Sequence, residues 1–260
     1  LKALKGDGLG KIIMNRPEAR NAMSDEMNAA MMEALEDFEN DPEVRAVILT
    51  GSEGAFCAGG DVKGMANKKD DPKRTIDIAI HEQRVHQRGT SGKLFKMPKP
   101  TIAAVNGPAA GAGMSYALSC DLRIMSESAF FTTAFAKVGF SGDYGGSYFM
   151  TQLVGLSKAK ELYFLSDKIP AEEALKIGIT NWVVKHEELE EKTLEIAKQL
   201  AEGPAVAFRY MKENLNRAVS GEVDDCLDLE VTHHVHCGQT EDHKNATKAF
   251  VEKKQPVFKG

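Results

Sequence analysis

The sequence predicts an α/β fold that continues into a helical C-terminal region. Short runs of β-branched residues recur through the first two thirds of the chain, and apolar residues at helical spacing lie between them. From His186 onward the helical spacing continues alone. Strands that alternate with helices are typical of α/β proteins. With 260 residues, 42% of them hydrophobic, the chain can bury a core without a metal or a disulfide.

Four short runs have the composition of strands, and the first two end in glycine. They are residues 45–51 (RAVILTG), residues 101–107 (TIAAVNG) and, with a weaker pattern, residues 120–125 (CDLRIM) and 181–185 (NWVVK). The first predicted helix begins after Ser24, which is a favourable N-cap. Apolar residues then follow at spacings of four, four and three: Met27, Met31, Leu35 and Phe38.

The last quarter of the chain is predicted to be helical. Leu189, Thr193, Ile196 and Leu200 form one stripe, Pro204 ends that helix or opens the next, and two or three further helices extend to Val251. Two regions are therefore expected, a core of residues 1–195 with the substrate site and a helical oligomerisation region of residues 196–260. The apolar residues of the late helices indicate packing on another element or subunit.

Charge and composition exclude several classes of protein. Lys and Arg total 33 against 38 Asp and Glu, a net charge of −5, which argues against a nucleic-acid binder. No apolar run approaches the roughly 18 residues of a membrane helix. The cysteines, Cys57, Cys120, Cys226 and Cys237, form no C-x-x-C pair, as expected in a reducing compartment. We expect a cytoplasmic protein, the alternative being that an organellar targeting segment was removed before Leu1.

Several familiar motifs are absent. Residues 107–113 (GPAAGAG) lack the spacing of a dinucleotide fingerprint, and residues 139–143 (GFSGD) miss the nucleophile elbow by one position. His233, His234, His236 and Cys237 point to different faces of a helix, so we expect no metal site there. The most polar segment, residues 68–74 (KKDDPKR), is predicted to be a mobile surface loop.

Two glycine-rich loops carry the functional signal. Residues 54–61 (GAFCAGGD) follow the first predicted strand, and residues 106–115 (NGPAAGAGMS) follow the second and open a helix. Glycines let the backbone approach a ligand and direct N–H groups at it, and a helix N-terminus adds partial positive charge. Together the loops could form an oxyanion hole with two donors; the alternative is that both are simply tight strand-to-helix turns.

The chain resembles the crotonase (enoyl-CoA hydratase/isomerase) superfamily in four segments: residues 14–24 (MNRPEARNAMS), 46–65 (AVILTGSEGAFCAGGDVKGM), 99–113 (KPTIAAVNGPAAGAG) and 249–254 (AFVEKK). The resemblance implies a spiral of β-β-α units whose C-terminal helices form a homotrimer or hexamer. It also implies an acyl-CoA substrate, a role in fatty acid metabolism, and no cofactor beyond the CoA of the substrate. In this family two backbone N–H groups stabilise a thioester enolate.

The same resemblance assigns the site residues. By motif position the two oxyanion donors are the N–H groups of Gly60 and Ala112. Substrate contacts are expected at two groups of positions: Gly60, Asp61, Val62 and Lys63 in the first loop, and Ala112, Ser115 and Phe135 further along. The last two matter most, because hydratases of the family carry a glutamate at each of these positions. Ser115 and Phe135 cannot replace that pair of carboxylates, so ordinary hydration is in doubt.

Asp143, in the segment GFSGDYGGS (residues 139–147), is the candidate acid–base residue. Similar family members, the ring-epoxide isomerases of phenylacetyl-CoA breakdown, hold their acid–base aspartate at this position, and chlorobenzoyl-CoA dehalogenases hold their nucleophile there. A dehalogenase also needs a histidine shortly before the Lys-Pro segment; Gly92 lies near that place, and His81 and His86 fall earlier. The alternative is that Asp143 only caps a helix beginning near Gly145.

The sequence therefore favours an enoyl-CoA isomerase, since moving a double bond needs one base that removes a proton and returns it two carbons away. Two alternatives stay open: an enoyl-CoA hydratase with an atypical site, and a catalytically silent acyl-CoA-binding homologue.

Overall fold

The structure, a computed structural model, describes residues 1–62, 64 and 75–260. The predicted surface loop at residues 68–74 and the predicted substrate contact Lys63 lie outside the described residues.

The described residues form strands β1–β9, which are in chain order Lys2–Gly6, Leu9–Met14, Ala46–Gly51, Thr101–Val105, Ala109–Ala110, Leu122–Ser126, Phe130–Thr132, Ile169–Pro170 and Trp182–Val184. Their helices α1–α10 are Asp25–Asn40, Ile76–Gly89, Ser91–Lys96, Ala112–Ser119, Gly146–Leu165, Ala171–Lys176, Leu189–Ala201, Ala205–Ala218, Val223–Gly238 and Glu241–Val251. Among them no helix is both long and apolar enough to span a membrane.

The strands form two sheets. In the larger sheet the order is β1-β2-β3-β4-β6-β9, antiparallel between β1 and β2 and parallel from β2 onward. The smaller sheet has the order β5-β7-β8, and Cys57 extends it through a bridge to Ala109. Two successive turns of the chain each add one strand to each sheet and then a helix: β4-β5-α4 and β6-β7-α5. The predicted α/β fold of β-β-α units with a helical C-terminal region is confirmed.

The predicted elements form for the expected physical reasons. The four predicted strands appear as β3, β4, β6 and β9, and every residue of β3 is buried because helices cover both faces of a parallel sheet. Helix α1 begins after Ser24, whose hydroxyl accepts the Met27 N–H at 3.2 Å, and its apolar stripe is buried. The sequence analysis missed β1, β2 and the three short strands of the second sheet.

Helix α7 lies on one face of the large sheet. Its Leu189 and Ala197 pack against Ile48, Ile102 and Ile124 of the strands, while the main core fills the opposite face. The predicted boundary between residues 195 and 196 falls within this helix. The division into a core region and an oligomerisation region remains a prediction.

A partly buried ion pair anchors α8 to the core. Lys212 Nζ lies 2.8 Å from an Asp121 carboxylate oxygen and donates to the Leu94 carbonyl at 3.0 Å. The same carboxylate accepts the Thr101 N–H at the start of β4. Because removing one partner of a buried pair leaves an uncompensated charge, this contact holds the helical region in a defined position on the sheet.

Candidate active site

The first glycine-rich loop is held against the segment before α1. The Met23 N–H donates to the Gly59 carbonyl at 2.8 Å, and the Asp61 N–H donates to the Met23 carbonyl at 3.2 Å. This is the pattern of a parallel bridge opposite Gly60. The bridge uses the groups on either side of Gly60, so the N–H of Gly60 itself points away from Met23.

The second loop supplies a helix N-terminus. Gly111 has a φ of 52° and is the N-cap of α4, and Ala112 is its first residue. The first N–H groups of a helix have no acceptor within the helix and carry partial positive charge. Within the part of the chain that the structure describes, neither the Gly60 N–H nor the Ala112 N–H donates to a protein acceptor.

Glycines let these two loops lie in contact. Gly59 has a φ of 90°, and a Cβ there would lie 2.7 Å from the Ala110 carbonyl oxygen and 3.5 Å from the Ala112 nitrogen. A Cβ on Gly113 would lie 2.2 Å from the Cys57 carbonyl oxygen. Real Cβ atoms essentially never approach so closely, so the juxtaposition of Gly60 and Ala112 depends on these glycines.

Asp143 lies in a tightly wound loop before α5. Gly142, Tyr144 and Gly145 around it all have positive φ. The N-cap of α5 is Gly145, and no side chain of the described residues caps the helix. The Asp143 carbonyl, rather than its carboxylate, accepts the Gly146 N–H at 3.0 Å. The capping alternative for the Asp143 side chain is therefore wrong.

The Asp143 carboxyl group lies in a desolvated environment. Its Oδ1 atom is buried and has no hydrogen-bond partner among the described residues. Burial raises the pKa of Asp143 to about 6, because removing water disfavours the charged form. A carboxyl group with a pKa near neutrality can both take and return a proton at physiological pH.

Gly60 and Asp143 line one cavity of about 420 Å³. The start of α1, the first loop, helix α2 and the Asp143 loop line it, and its walls include Gly60, Asp61 and Asp143. Ala112, Ser115 and Phe135 do not line it, although the Ala112 nitrogen adjoins the Gly59 backbone. The structure thus brings together in one cavity three of the residues proposed from the sequence.

The other residues expected in the first loop differ in their surroundings. One Asp61 carboxylate oxygen accepts from Arg16 Nη2 at 3.0 Å, and the other accepts the Gly64 N–H at 2.8 Å. The Asp61 side chain therefore stabilises the loop that lines the cavity. Val62 is exposed.

The side chains of Ser115 and Phe135 contact other groups of the protein. The Ser115 hydroxyl lies 3.0 Å from the Asp143 carbonyl oxygen and 3.3 Å from that of Gly111, so its single hydrogen is directed at main-chain oxygens. Phe135 stacks on Tyr163 with ring centroids 5.8 Å apart. The Tyr163 hydroxyl, which the sequence analysis missed, is buried without a partner in the described residues. Burial and the nearby Asp143 charge raise its pKa.

A hydrogen-bonded chain of three side chains, also missed by the sequence analysis, holds the Asp143 loop in place. The Tyr116 hydroxyl donates to Asn28 Oδ1 at 2.9 Å, and Asn28 Nδ2 donates to the Tyr144 hydroxyl at 3.1 Å. Asn28 joins α1 and α4 to the residue that follows Asp143. Asn28 is a polar residue among the buried apolar positions of α1. That pattern is the signal in the sequence that could have identified it.

The histidine cluster of α9 makes protein contacts. His233 Nδ1 lies 2.6 Å from Asn214 Oδ1, and the ring stacks on Tyr210 with centroids 4.0 Å apart. In the described ranges, no three His, Cys, Asp or Glu side chains are arranged to hold a metal ion.

Comparison with known proteins places this chain in a family. The model of the family described as enoyl-CoA hydratase/isomerase matches residues 5–260. The chain belongs to that family. Its members are acyl-CoA-processing enzymes, so the family predicted from the four sequence segments is confirmed.

Individual relatives of this family are similar over nearly the whole chain. The chain is 35% identical over 254 residues to a 1,2-epoxyphenylacetyl-CoA isomerase from Escherichia coli (97% of this chain, 95% of that protein). It is 38% identical over 245 residues to a short-chain-enoyl-CoA hydratase from Clostridium acetobutylicum (94% and 91%). The solved structure of an enoyl-CoA hydratase from Polaromonas sp. JS666 aligns with a TM-score of 0.92 at 31% identity, covering 99% of both chains. The names of these family members divide between isomerase and hydratase.

Proposed function

We propose that the protein is an enoyl-CoA isomerase that uses Asp143 as its single acid–base residue. The observation that carries the proposal is the largely buried Asp143 carboxyl group, with its pKa of about 6, in the cavity lined by Gly60. Its Oδ1 atom has no hydrogen-bond partner among the described residues. One relative, a 1,2-epoxyphenylacetyl-CoA isomerase, supports an isomerase function for this chain.

In this mechanism the thioester oxygen accepts hydrogen bonds from the Gly60 and Ala112 N–H groups. Charge moves onto that oxygen as the α-proton leaves, so donors already in place stabilise the enolate more than the ground state. One such donor is typically worth about 3 kcal/mol of transition-state stabilisation. The partial positive charge at the start of α4 adds to this effect.

Asp143 then moves one proton. Its carboxylate removes a proton from C2 of a 3-enoyl-CoA, and the electrons of that C–H bond delocalise into the thioester enolate. The neutral carboxylic acid, which the desolvated site favours, returns the proton to C4. The double bond shifts from C3–C4 to C2–C3, and Asp143 is again a carboxylate.

A hydratase needs more than this site offers. Family hydratases use two glutamates on a water molecule, and Ser115 and Phe135 occupy those positions here. The Ser115 hydroxyl is engaged by main-chain oxygens, and Phe135 cannot titrate. The competing functions are an atypical hydratase and a silent acyl-CoA binder. Turnover assays distinguish both of them from the isomerase.

The test is a turnover screen of 3-enoyl-CoA, 2-enoyl-CoA and aromatic acyl-CoA thioesters. Isomerisation conserves mass and creates a conjugated thioester, which ultraviolet absorbance detects, whereas hydration adds one water to the mass. We expect conjugation of 3-enoyl-CoA without water gain. Hydration of 2-enoyl-CoA as the faster reaction would favour the hydratase, and binding without any turnover would favour the silent homologue.

The pH dependence of the rate should report the Asp143 carboxyl group. Because the carboxylate is the reactive form, kcat/KM on 3-enoyl-CoA should fall as pH decreases through about 6, where the buried group becomes protonated. A pH–rate profile of the free enzyme measures this inflection. A rate that stays constant down to the ordinary carboxyl range would contradict the assignment.

We also propose that the C-terminal helices mediate a homotrimer or hexamer. Four residues spaced four apart along α9 share one face and are more than half exposed: Val223, Leu227, Val231 and Val235. Light scattering at micromolar concentration should give a trimer or hexamer. The double substitution Leu227→Glu with Val231→Glu should dissociate it, whereas Glu230→Gln on the same helix should not. A monomeric parent protein would refute the proposal.

A further inference from the structure

Helix α2 presents polar side chains to the active-site cavity. Glu82, Gln83 and His86 line its wall in the same enclosure as Asp143, and their spacing of three and four residues places them on one strip of the helix. The apolar residues of α2 lie to either side of this strip and are 41% to 79% exposed: Ile76, Ile78, Ile80 and Val85. The helix thus turns polar groups, not its aliphatic ones, towards the substrate cavity.

Two of these polar groups are available to a ligand. Gln83 and His86 are half-buried, and neither side chain has a hydrogen-bond partner among the described residues. Other polar groups of the cavity are engaged: Asn28 bonds to Tyr144 and Tyr116, and Ser24 caps α1. A hydrocarbon chain that displaced water from Gln83 and His86 would leave them unsatisfied, at a typical cost of about 1 to 3 kcal/mol for each group.

We infer that the acyl group of the substrate carries a hydroxyl group beyond the reacting carbons, bound by Gln83 and His86. A hydroxyl group both donates and accepts hydrogen bonds. A glutamine amide and a neutral imidazole can likewise each donate and accept one, so either side chain can pair with it. This inference rests on the proposed function, because it assigns the acyl end of the ligand to the cavity shared by Gly60 and Asp143. It adds a substrate class, hydroxylated acyl-CoA thioesters, to the reaction type.

Calorimetry with saturated thioesters tests the inference without any turnover. Hexanoyl-CoA is compared with 4-, 5- and 6-hydroxyhexanoyl-CoA, none of which has a double bond to move. At least one hydroxylated ligand should bind about tenfold more tightly than hexanoyl-CoA, the ratio expected from one satisfied hydrogen bond. Gln83→Leu and His86→Leu should each remove most of that advantage and leave hexanoyl-CoA binding at least as tight.

His81→Leu and Gln87→Leu are the matched controls, because they make the same substitutions on α2 outside the cavity wall. Both should keep the parental preference. The inference is overturned if hexanoyl-CoA binds as tightly as every hydroxylated ligand, or if the cavity and control variants behave alike.

The two proposals fail separately. If Asp143→Asn retains full turnover while the hydroxyl preference persists, the isomerase mechanism is wrong and the polar pocket stands. If turnover depends on Asp143 and no hydroxyl preference exists, the mechanism stands and the substrate class is wrong. If no thioester binds at all, both are wrong.

Discussion

Replacing Asp143 with Asn should lower kcat on 3-enoyl-CoA by about 10² to 10⁴, the usual effect of removing a positioned general base. Asn preserves the size of the side chain but cannot accept the proton. Affinity for the thioester should change little, because the carboxyl group does not contact the oxyanion. Steady-state kinetics combined with calorimetry on a saturated acyl-CoA separates the two quantities.

Ser115→Ala is the control for this substitution. It removes a hydroxyl that contacts the Asp143 and Gly111 carbonyls but that moves no proton in the proposed mechanism. The rate should fall only slightly. Full activity in Asp143→Asn together with an inactive Ser115→Ala would show that the base has been assigned to the wrong residue.

A stability measurement shows whether the Asp143→Asn variant is folded. The folded protein holds the Asp143 proton more tightly than the unfolded chain does, since burial raises the pKa from 3.8 to about 6. The ionised carboxylate therefore destabilises the fold above pH 6, by up to about 3 kcal/mol. Asn never carries that charge, so the variant should unfold at a higher temperature than the parent at pH 8. The difference should diminish towards pH 4.

Gly59→Ala should lower kcat/KM by about 10² to 10³, the effect of losing one oxyanion donor. The new Cβ would lie 2.7 Å from the Ala110 carbonyl oxygen, and the backbone there is in the left-handed region with a φ of 90°. The first loop must move away from α4, so the Gly60 and Ala112 N–H groups no longer meet the same oxygen. Kinetics on 3-enoyl-CoA and a thermal melt measure the two consequences.

Gly54→Ala is the matched control. Gly54 also has a positive φ, 76°, but a Cβ there would have nothing within 4 Å. The Gly54→Ala variant therefore has the conformational strain of a positive φ, about 1 kcal/mol, without the clash between loops. We expect a modest loss of stability and near-parental kcat/KM. Equal activity of the Gly59 and Gly54 variants would contradict the role of the paired loops.

Features that depend on local pattern follow from the amino-acid sequence alone. The β-branched runs of β3 and β4, the Ser24 cap with the buried stripe of α1, and the two glycine-rich loops are encoded in consecutive residues. The resemblance of its motif to family members also singled out Asp143 as the candidate acid–base residue. The strands β1 and β2 were missed because neither is a fully buried run: every residue of β1 is exposed, and two residues of β2 are half-buried.

The tertiary structure decided which chemical groups have partners and which have lost water. Whether Asp143 caps a helix or titrates near neutrality depends on which atoms surround its carboxyl group, and these come from several elements. Ser115 contacts the Asp143 carbonyl 28 residues away. Gln83 and His86 reach the same cavity only because α2 folds across from the Asp143 loop. Desolvation and hydrogen-bond satisfaction are properties of atoms brought together from distant segments, which local sequence patterns do not specify.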